Sequence, residues 1–282
     1  MVTHDGERFI RQQCESIFRQ SLLPAVLVVV DDASTDGSRS MLGEIARSAP
    51  IPLEIIPVDG SGVRNRKSRV ASNVVRGLAA ASEYDVVVLS DQDDEWLEER
   101  LASQREVLRT SSAMLVAGDG ILIDELGEPI GTRLRDSFPL PDGWTALDAA
   151  GRMRAALRRP FVTGAASALT AELAQLMTPV PRGWLHDRWA TLGAVARNRL
   201  VLQAEPVIRY RVHDQQILGH RQAEIGTGKR RWRQVLDRGA SPIEAAARMT
   251  DVVRRLRPIA FDPRVRAELT WRAVVASAME RA

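Results

Sequence analysis

Three aspartates within four residues, at the end of a short β-branched run, constrain this chain more than any other feature. Tyr84-Asp85-Val86-Val87-Val88-Leu89 leads directly into Ser90-Asp91-Gln92-Asp93-Asp94-Glu95-Trp96. An apolar run of that length reads as a strand buried on both faces, as in a parallel sheet. The acids then fall at the strand's carboxyl end, where open α/β sheets bind their ligands. Like charges crowd there only if a cation or several donors offset the repulsion. Asp91 and Asp93, one residue apart, point two carboxylates from one turn. A hard divalent cation bound together with a diphosphate wants one or two carboxylates, waters and phosphate oxygens. The plainer alternative is an acidic loop capping a helix that starts near Trp96, since Asp and Glu suit helix starts.

The rest of the first half alternates strands and helices. Phe9, Ile10, Cys14, Ile17 and Phe18 form a helical stripe, which makes Cys14 a core thiol. Ala25 to Val30 reads as a buried strand ending in Asp31-Asp32, followed by a helix to Ser48 with Ser34 and Asp36 at its cap. Leu53 to Pro57 is a third strand, Arg64 to Arg69 a basic loop, and Val70, Val74, Val75 and Leu78 the next helical stripe. This alternation specifies a parallel, doubly wound sheet. After Ser112 the expected pieces are strands at Met114–Ala117 and Ile121–Ile123, a loop over 131–144 and a helix from Thr145 to Leu157. A helix to Ala196 follows Trp184-Leu185-His186-Asp187-Arg188-Trp189, then strands at Leu200–Gln203 and Val207–Arg211. From Lys229 the chain reads as two or three Arg/Ala-rich helices broken between Pro258 and Pro263.

Length and charge narrow the class. The 282 residues suit one large α/β domain, or one domain with an appendage. No apolar run is long enough to span a bilayer and no signal pattern opens the chain, and one cysteine excludes an internal disulfide or a cysteine zinc cluster. These features fit the cytoplasm. The net charge of +3 is uneven: residues 221–282 carry +7 and residues 1–220 carry −4. A basic tail meets an anionic membrane face or nucleic acid, or is a solvated helix surface. The division expected is therefore 1–220 and a basic helical extension over 221–282.

Asp32, Ser34, Asp36 and Gly37 imitate a calcium loop, but a strand precedes them and Gly43 stands where the twelfth-position Glu belongs. A phosphohydrolase of the haloacid dehalogenase type also uses Asp-x-Asp, yet it needs Thr or Val where Glu95 stands, and needs the motif on the first strand.

Taken in order, several stretches resemble an inverting family 2 glycosyltransferase of the GT-A fold. They are Thr3-His4-Asp5-Gly6-Glu7-Arg8-Phe9-Ile10, Asp31-Asp32-Ala33-Ser34-Thr35-Asp36-Gly37-Ser38, Asn73, Ser90 to Trp96, Thr163-Gly164, His186-Asp187-Arg188-Trp189 and Tyr210-Arg211-Val212-His213. The Asp-Gln-Asp-Asp-x-Trp form is similar to a bacterial subset associated with rhamnosyl transfer in cell-envelope polysaccharide biosynthesis. The resemblance implies a Rossmann-like, mostly parallel sheet flanked by helices, with a C-terminal helical extension. It implies a nucleotide pocket of Thr3, Asp31, Asp32, Asp91 and Arg69, and a Mg²⁺ or Mn²⁺ site of Asp93, Asp91 and His213. Asp187 would be the general base, and Trp184, Trp189 and Gly164 would meet the sugar or acceptor, the two tryptophans being equally readable as core. The implied partners are a dTDP- or UDP-sugar donor and a glycan or lipid-linked acceptor, with no nucleic acid, and peripheral contact with the inner membrane face through the basic tail. The sequence departs from the pattern in two ways: only Met1 and Val2 precede Thr3, so the first strand is expected to be truncated, and His4 and Asp5 replace the usual Tyr and Asn. The rival in another class is a degenerate domain of this fold that binds nucleotide sugar or glycan without turning it over.

Overall fold

β-Branched runs place the strands. Leu27–Asp32 (β2) and Val86–Val88 (β4) are the two Val-rich segments, and both stop where the acids begin. The computed structural model describes residues 1–59, 66–214 and 242–279. Val2–Thr3 (β1) pairs parallel with β2, Val2 facing Val30 and Thr3 facing Asp31, and β2 pairs parallel with Leu53–Val58 (β3). A second sheet begins at β4 and runs through Ser167–Thr170 (β8), Leu115–Ile123 (β6), Leu200–Arg211 (β9) and Glu95–Trp96 (β5), with Pro129–Arg133 (β7) on β6. The sheet system is thus parallel over its first three strands and mixed beyond, where β6 and β9 are parallel and the β4–β8, β6–β8 and β5–β9 pairs antiparallel. The Val2 amide, 3.4 Å from the Ser90 carbonyl, links the two halves.

The helices pack by their apolar stripes. In Ile10–Phe18 (α1), Ile10, Cys14 and Ile17 are fully buried, as the spacing requires. Burial pushes the Cys14 thiol up to about 12, so it is an inert core thiol. Ser38–Ser48 (α2) starts at the Asp36 carboxylate, which accepts from the Ser38 amide and hydroxyl; the Ser34 hydroxyl instead accepts from the Asp5 amide. Arg66–Ala80 (α3) lies against β2.

Five expected boundaries moved. The helix expected from Trp96 begins instead at Arg100 (Arg100–Thr110, α4), because Glu95 and Trp96 pair with Arg209 and Ile208 of β9 and complete a sheet edge. The two strands expected on either side of Gly118 are one strand, β6, irregular in register around Asp119. Leu200–Gln203 and Val207–Arg211 are likewise one strand. The 131–144 loop holds the end of β7 and the short helix Leu134–Ser137 (α5). Ala149–Arg158 (α6) starts later than expected, where the Asp148 carboxylate accepts from the Gly151 amide.

A large core joins α6, Ala171–Met177 (α7) and His186–Ala196 (α8) to the C-terminal helices Pro242–Asp251 (α9), Pro263–Glu268 (α10) and Trp271–Met279 (α11). Val252, Leu256, Val265 and Leu269 are buried in it beside Trp189 and Met153. Arg154 of α6 meets Glu268 of α10 at 2.5 Å. The expected boundary at 220/221 and much of the basic tail, including Lys229, Arg230, Arg231 and Arg233, lie outside the described residues, as does Arg64 of the basic loop.

The first strand is two residues long, as the sequence implied. Beside it a cavity of about 450 Å³ lies between the amino-terminal ends of β2 and β4, walled by Val26, Val28, Leu78, Val87 and Leu89.

Candidate functional site

Local hydrogen bonding gathers the site at the carboxyl ends of β1, β2 and β4. The Gln92 side chain ties the second acidic turn, Asp91 to Asp94, to the start of the chain. It accepts from the Thr3 hydroxyl at 2.7 Å and the His4 amide at 2.8 Å, and donates to the His4 carbonyl at 3.2 Å. One strand over, a His4 ring nitrogen meets the Asp32 carbonyl at 2.7 Å. Asp31 and Asp32 are buried, each with one oxygen on an arginine: Asp31 pairs with Arg39, and Asp32 with Arg69 at 2.7 Å. The other carboxylate oxygen of each has no hydrogen-bond partner among the described residues. A buried, half-satisfied carboxylate is where an incoming N–H or O–H donor gains most. Thr3, Asp31, Asp32 and Arg69, expected to serve a nucleotide, are thus neighbours.

The second acidic turn is held from below. His213 Nε2 lies 2.8 Å from Asp93 Oδ2, and the His213 ring packs against Phe9, centroids 4.9 Å apart. The Asp94 carboxylate is buried and accepts the Arg211 amide at 2.9 Å. Burial first, then Asp93 and Asp91, raise Asp94 well above the usual carboxylate range. Asp91 is pushed up to about 7 by desolvation, then by the charges of Asp93 and Asp187. Its carboxylate still meets solvent, which discounts the energetic weight of that rise. Arg100, fully buried under these acids with its guanidinium over the Trp96 ring, donates to the Leu89 carbonyl. Desolvation lowers it to about 9.

Asp187 comes from the first turn of α8, far along the chain. It is not the cap residue, which is Leu185. Its Oδ1 accepts the Arg188 amide at 2.6 Å and its Oδ2 the Gly164 amide at 3.3 Å. Asp91 and His186, the residue before Asp187, line one cavity, which brings the acidic turn and the start of α8 together. Gly164 is required by contact: a Cβ there would lie 2.7 Å from His186 Nε2. His186 is enclosed, and desolvation lowers its pKa, so it is a neutral imidazole at neutral pH.

Trp184 and Trp189, read as either core or a sugar-facing wall, are core. Trp189 is 0% and Trp184 8% exposed, their rings 5.4 Å apart, with Arg255 over Trp189 and Arg188 over Trp184. Neither offers a free face to a sugar, because both are buried in the core beneath an arginine. Gln92, Asp94, Arg100 and Arg211 are the residues the sequence reading left without a role. Gln92, Asp94 and Arg211 stand inside quoted motifs that could have singled them out, whereas Arg100 carried no such signal.

No group of three His, Cys, Asp or Glu side chains forms a ready-made metal cage among the described residues. What converges is Asp93 touching His213, with Asp91 beside them. That donor set fits a hard dication completed by phosphate oxygens and water better than a closed protein site. Burial raises Asp91 and Asp94 most and the neighbouring aspartates add to it, and a dication held by the turn would offset that second part.

Paired acids at the carboxyl ends of β2 and β4, with the start of α8 at the same cavity, form an arrangement suited to a polar, phosphate-bearing ligand. The sequence profile described as Glycosyl transferase family 2 matches residues 1–161, and the chain belongs to that family. Among curated relatives, it is 28% identical over 115 residues to the dTDP-rhamnosyl transferase RfbG of Shigella flexneri, spanning 40% of this chain and 38% of that protein. It is 30% identical over 142 residues to the putative glycosyltransferase EpsE of Bacillus subtilis, spanning 50% of this chain and 48% of that protein. The matches therefore span less than half the length of these relatives. Among solved structures, S. aureus TarS 1-349 in complex with UDP superposes with a TM-score of 0.51 at 14% identity, over 99% of this chain and 87% of that chain. The mannosyltransferase PcManGT from Pyrobaculum calidifontis in complex with GDP-Man and Mn²⁺ superposes with a TM-score of 0.50 at 17% identity, over 99% of this chain and 72% of that chain. These likenesses show the GT-A fold.

Proposed function

We propose that the chain transfers a sugar from a nucleoside-diphosphate donor to a hydroxyl of a glycan or lipid-linked acceptor, with inversion at the anomeric carbon. The observation carrying this reading is that Asp91 of the acidic turn lines one cavity with His186, the residue before Asp187 on α8, while Asp93 of the same turn meets His213. In this reading Asp31 and Asp32 accept from the donor's base and ribose through their unpartnered oxygens, Thr3 closes that pocket, and Arg69 sets the Asp32 carboxylate. Asp93, with His213 and Asp91 beside it, holds Mg²⁺ or Mn²⁺, which when bound supplies charge stabilisation to the departing diphosphate. Asp187 takes the proton of the acceptor hydroxyl as its oxygen bonds to the anomeric carbon. The bond from that carbon to the diphosphate breaks in the same displacement, so no protein nucleophile is needed.

The rhamnosyl relative supports dTDP-rhamnose as donor, with a UDP-sugar next. Release of nucleoside diphosphate in the presence of Mn²⁺ tests turnover. Asp187→Asn is expected to lower it by about 10²–10⁴-fold. Release that is absent in the parent, or unchanged in the variant, favours a binding domain without catalysis.

No helix among the described residues is long and apolar enough to cross a membrane. Contact with the inner membrane face is the reading we favour for the basic tail, supported by Phe261 and Trp271, which are 68% and 45% exposed among arginines. Binding of the whole chain to phosphatidylglycerol vesicles is expected to weaken with salt and with Phe261→Ser plus Trp271→Ser. Equal binding to neutral vesicles contradicts it.

A further inference from the structure

We infer that Arg211 is the positioning residue that fixes the acidic turn toward its cation, an inference that rests on the glycosyltransfer reading above. Its side chain is fully buried, and a guanidinium has five N–H donors in a rigid fork. Among the described residues, five different acceptors meet them. Nε donates to the Asp93 carbonyl at 2.8 Å, Nη1 to the Asp124 and Glu125 carbonyls at 3.1 and 3.2 Å, and Nη2 to Gln12 Oε1 at 3.0 Å and Glu95 Oε1 at 2.7 Å. These acceptors belong to α1, the acidic turn, β5 and the β6–β7 turn, so one side chain locks four segments together. Its own amide holds Asp94, and His213, two residues on, meets the Asp93 carboxylate. Phe9 contacts both, with the Arg211 guanidinium 4.8 Å from its ring centroid. The backbone and the carboxylate of Asp93 are therefore fixed by neighbouring residues of one strand end.

A lysine keeps the charge but has three donors and no fork, so it cannot hold the Asp93 carbonyl and the four other acceptors at once. Residues that orient a metal's ligands typically change affinity by about 10–100-fold when lost.

The test is a calorimetric Mn²⁺ titration of the whole chain without donor, performed well below the melting temperature of each variant. Arg211→Lys is expected to raise the Mn²⁺ Kd about tenfold or more, while the affinity for thymidine or uridine, which carry no phosphate, stays within about twofold. A merely structural role lowers the melting temperature and leaves the Mn²⁺ Kd in place, and that result overturns the inference. If Arg211→Lys does not fold, Gln12→Leu removes one acceptor from an exposed position of α1. It is expected to raise the Kd about threefold, and an unchanged Kd overturns the inference equally. Absence of Mn²⁺ binding by the parent refutes the metal assignment in the functional reading itself, and this inference with it.

Discussion

Asp91 sits beside two other carboxylates, and its titration gives a direct check. Its folded pKa of about 7 lies above the ordinary carboxylate value of 3.8. Between those values the folded chain keeps a proton that the unfolded chain has released, so this group's stabilisation is present at low pH and is lost as pH rises toward 7. Asp94 acts in the same sense. His186, lowered by desolvation, acts oppositely, since the unfolded chain takes up its proton first as pH falls. Melting curves without metal at pH 5 and pH 8 isolate Asp91: Asp91→Asn should flatten the decline seen in the parent. An identical slope in the two proteins contradicts the assignment. Gly164 gives a second check at this scale. Gly164→Ala would press a methyl group against His186 and displace the loop that donates to Asp187. A shift near 1 Å in such a group costs up to about 10²-fold in kcat, to be measured beside an unchanged circular dichroism spectrum. The acids at 32, 91, 93 and 187 were legible because each ends a strand or opens a helix in a recognisable pattern. Arg100 was not, since a buried arginine looks like a surface residue in a one-dimensional pattern, and the bridge that Gln92 makes is not written in its motif.

Among the elements, β4 and α3 show how far period and composition carry. Their strand and helix character follows from β-branching and from the 3.6-residue stripe. What failed was pairing: nothing local in Glu95-Trp96 says that β9 will claim it before α4 begins. Likewise nothing local joins the two halves of β6, because strand continuity there is supplied by β9. Helix α3 carries Gly77, where an added Cβ would make ordinary contact with Val30, 3.5 Å away. Gly77→Ala should therefore stabilise the chain by about 0.5–1 kcal/mol through helix entropy alone, read as a rise in denaturation midpoint; a fall would mean that α3 approaches β2 more closely than described. Trp189, fully buried against Trp184 and Arg255, sets the opposite limit. Trp189→Ala should cost about 3–5 kcal/mol and reduce activity only through stability. Full stability with lost transfer would return Trp189 to the sugar site.

At the scale of the molecule, the sequence division into a catalytic part and a basic extension describes charge better than packing. The described C-terminal helices bury Val252, Leu256, Val265 and Leu269 in the same core as α6 and α8. Leu269→Ala should thus cost about 2–5 kcal/mol in a single cooperative transition. A separate low-temperature transition would instead mark an independent appendage. Charge asymmetry was visible in the sequence because it sums over residues, whereas a shared core depends on contacts between distant segments. The proposed function needs one cleft in which acids from three distant segments, Asp32, the Asp91–Asp93 turn and Asp187, receive a nucleoside diphosphate. Its most direct measurement is thermal melting with dTDP, UDP and GDP, each with and without Mn²⁺, in the parent and in Asp93→Asn. The expected result is a rise with one nucleotide that requires Mn²⁺ and disappears in the variant. A nucleotide response indifferent to Mn²⁺ and to Asp93, or no response to any nucleotide, would contradict it.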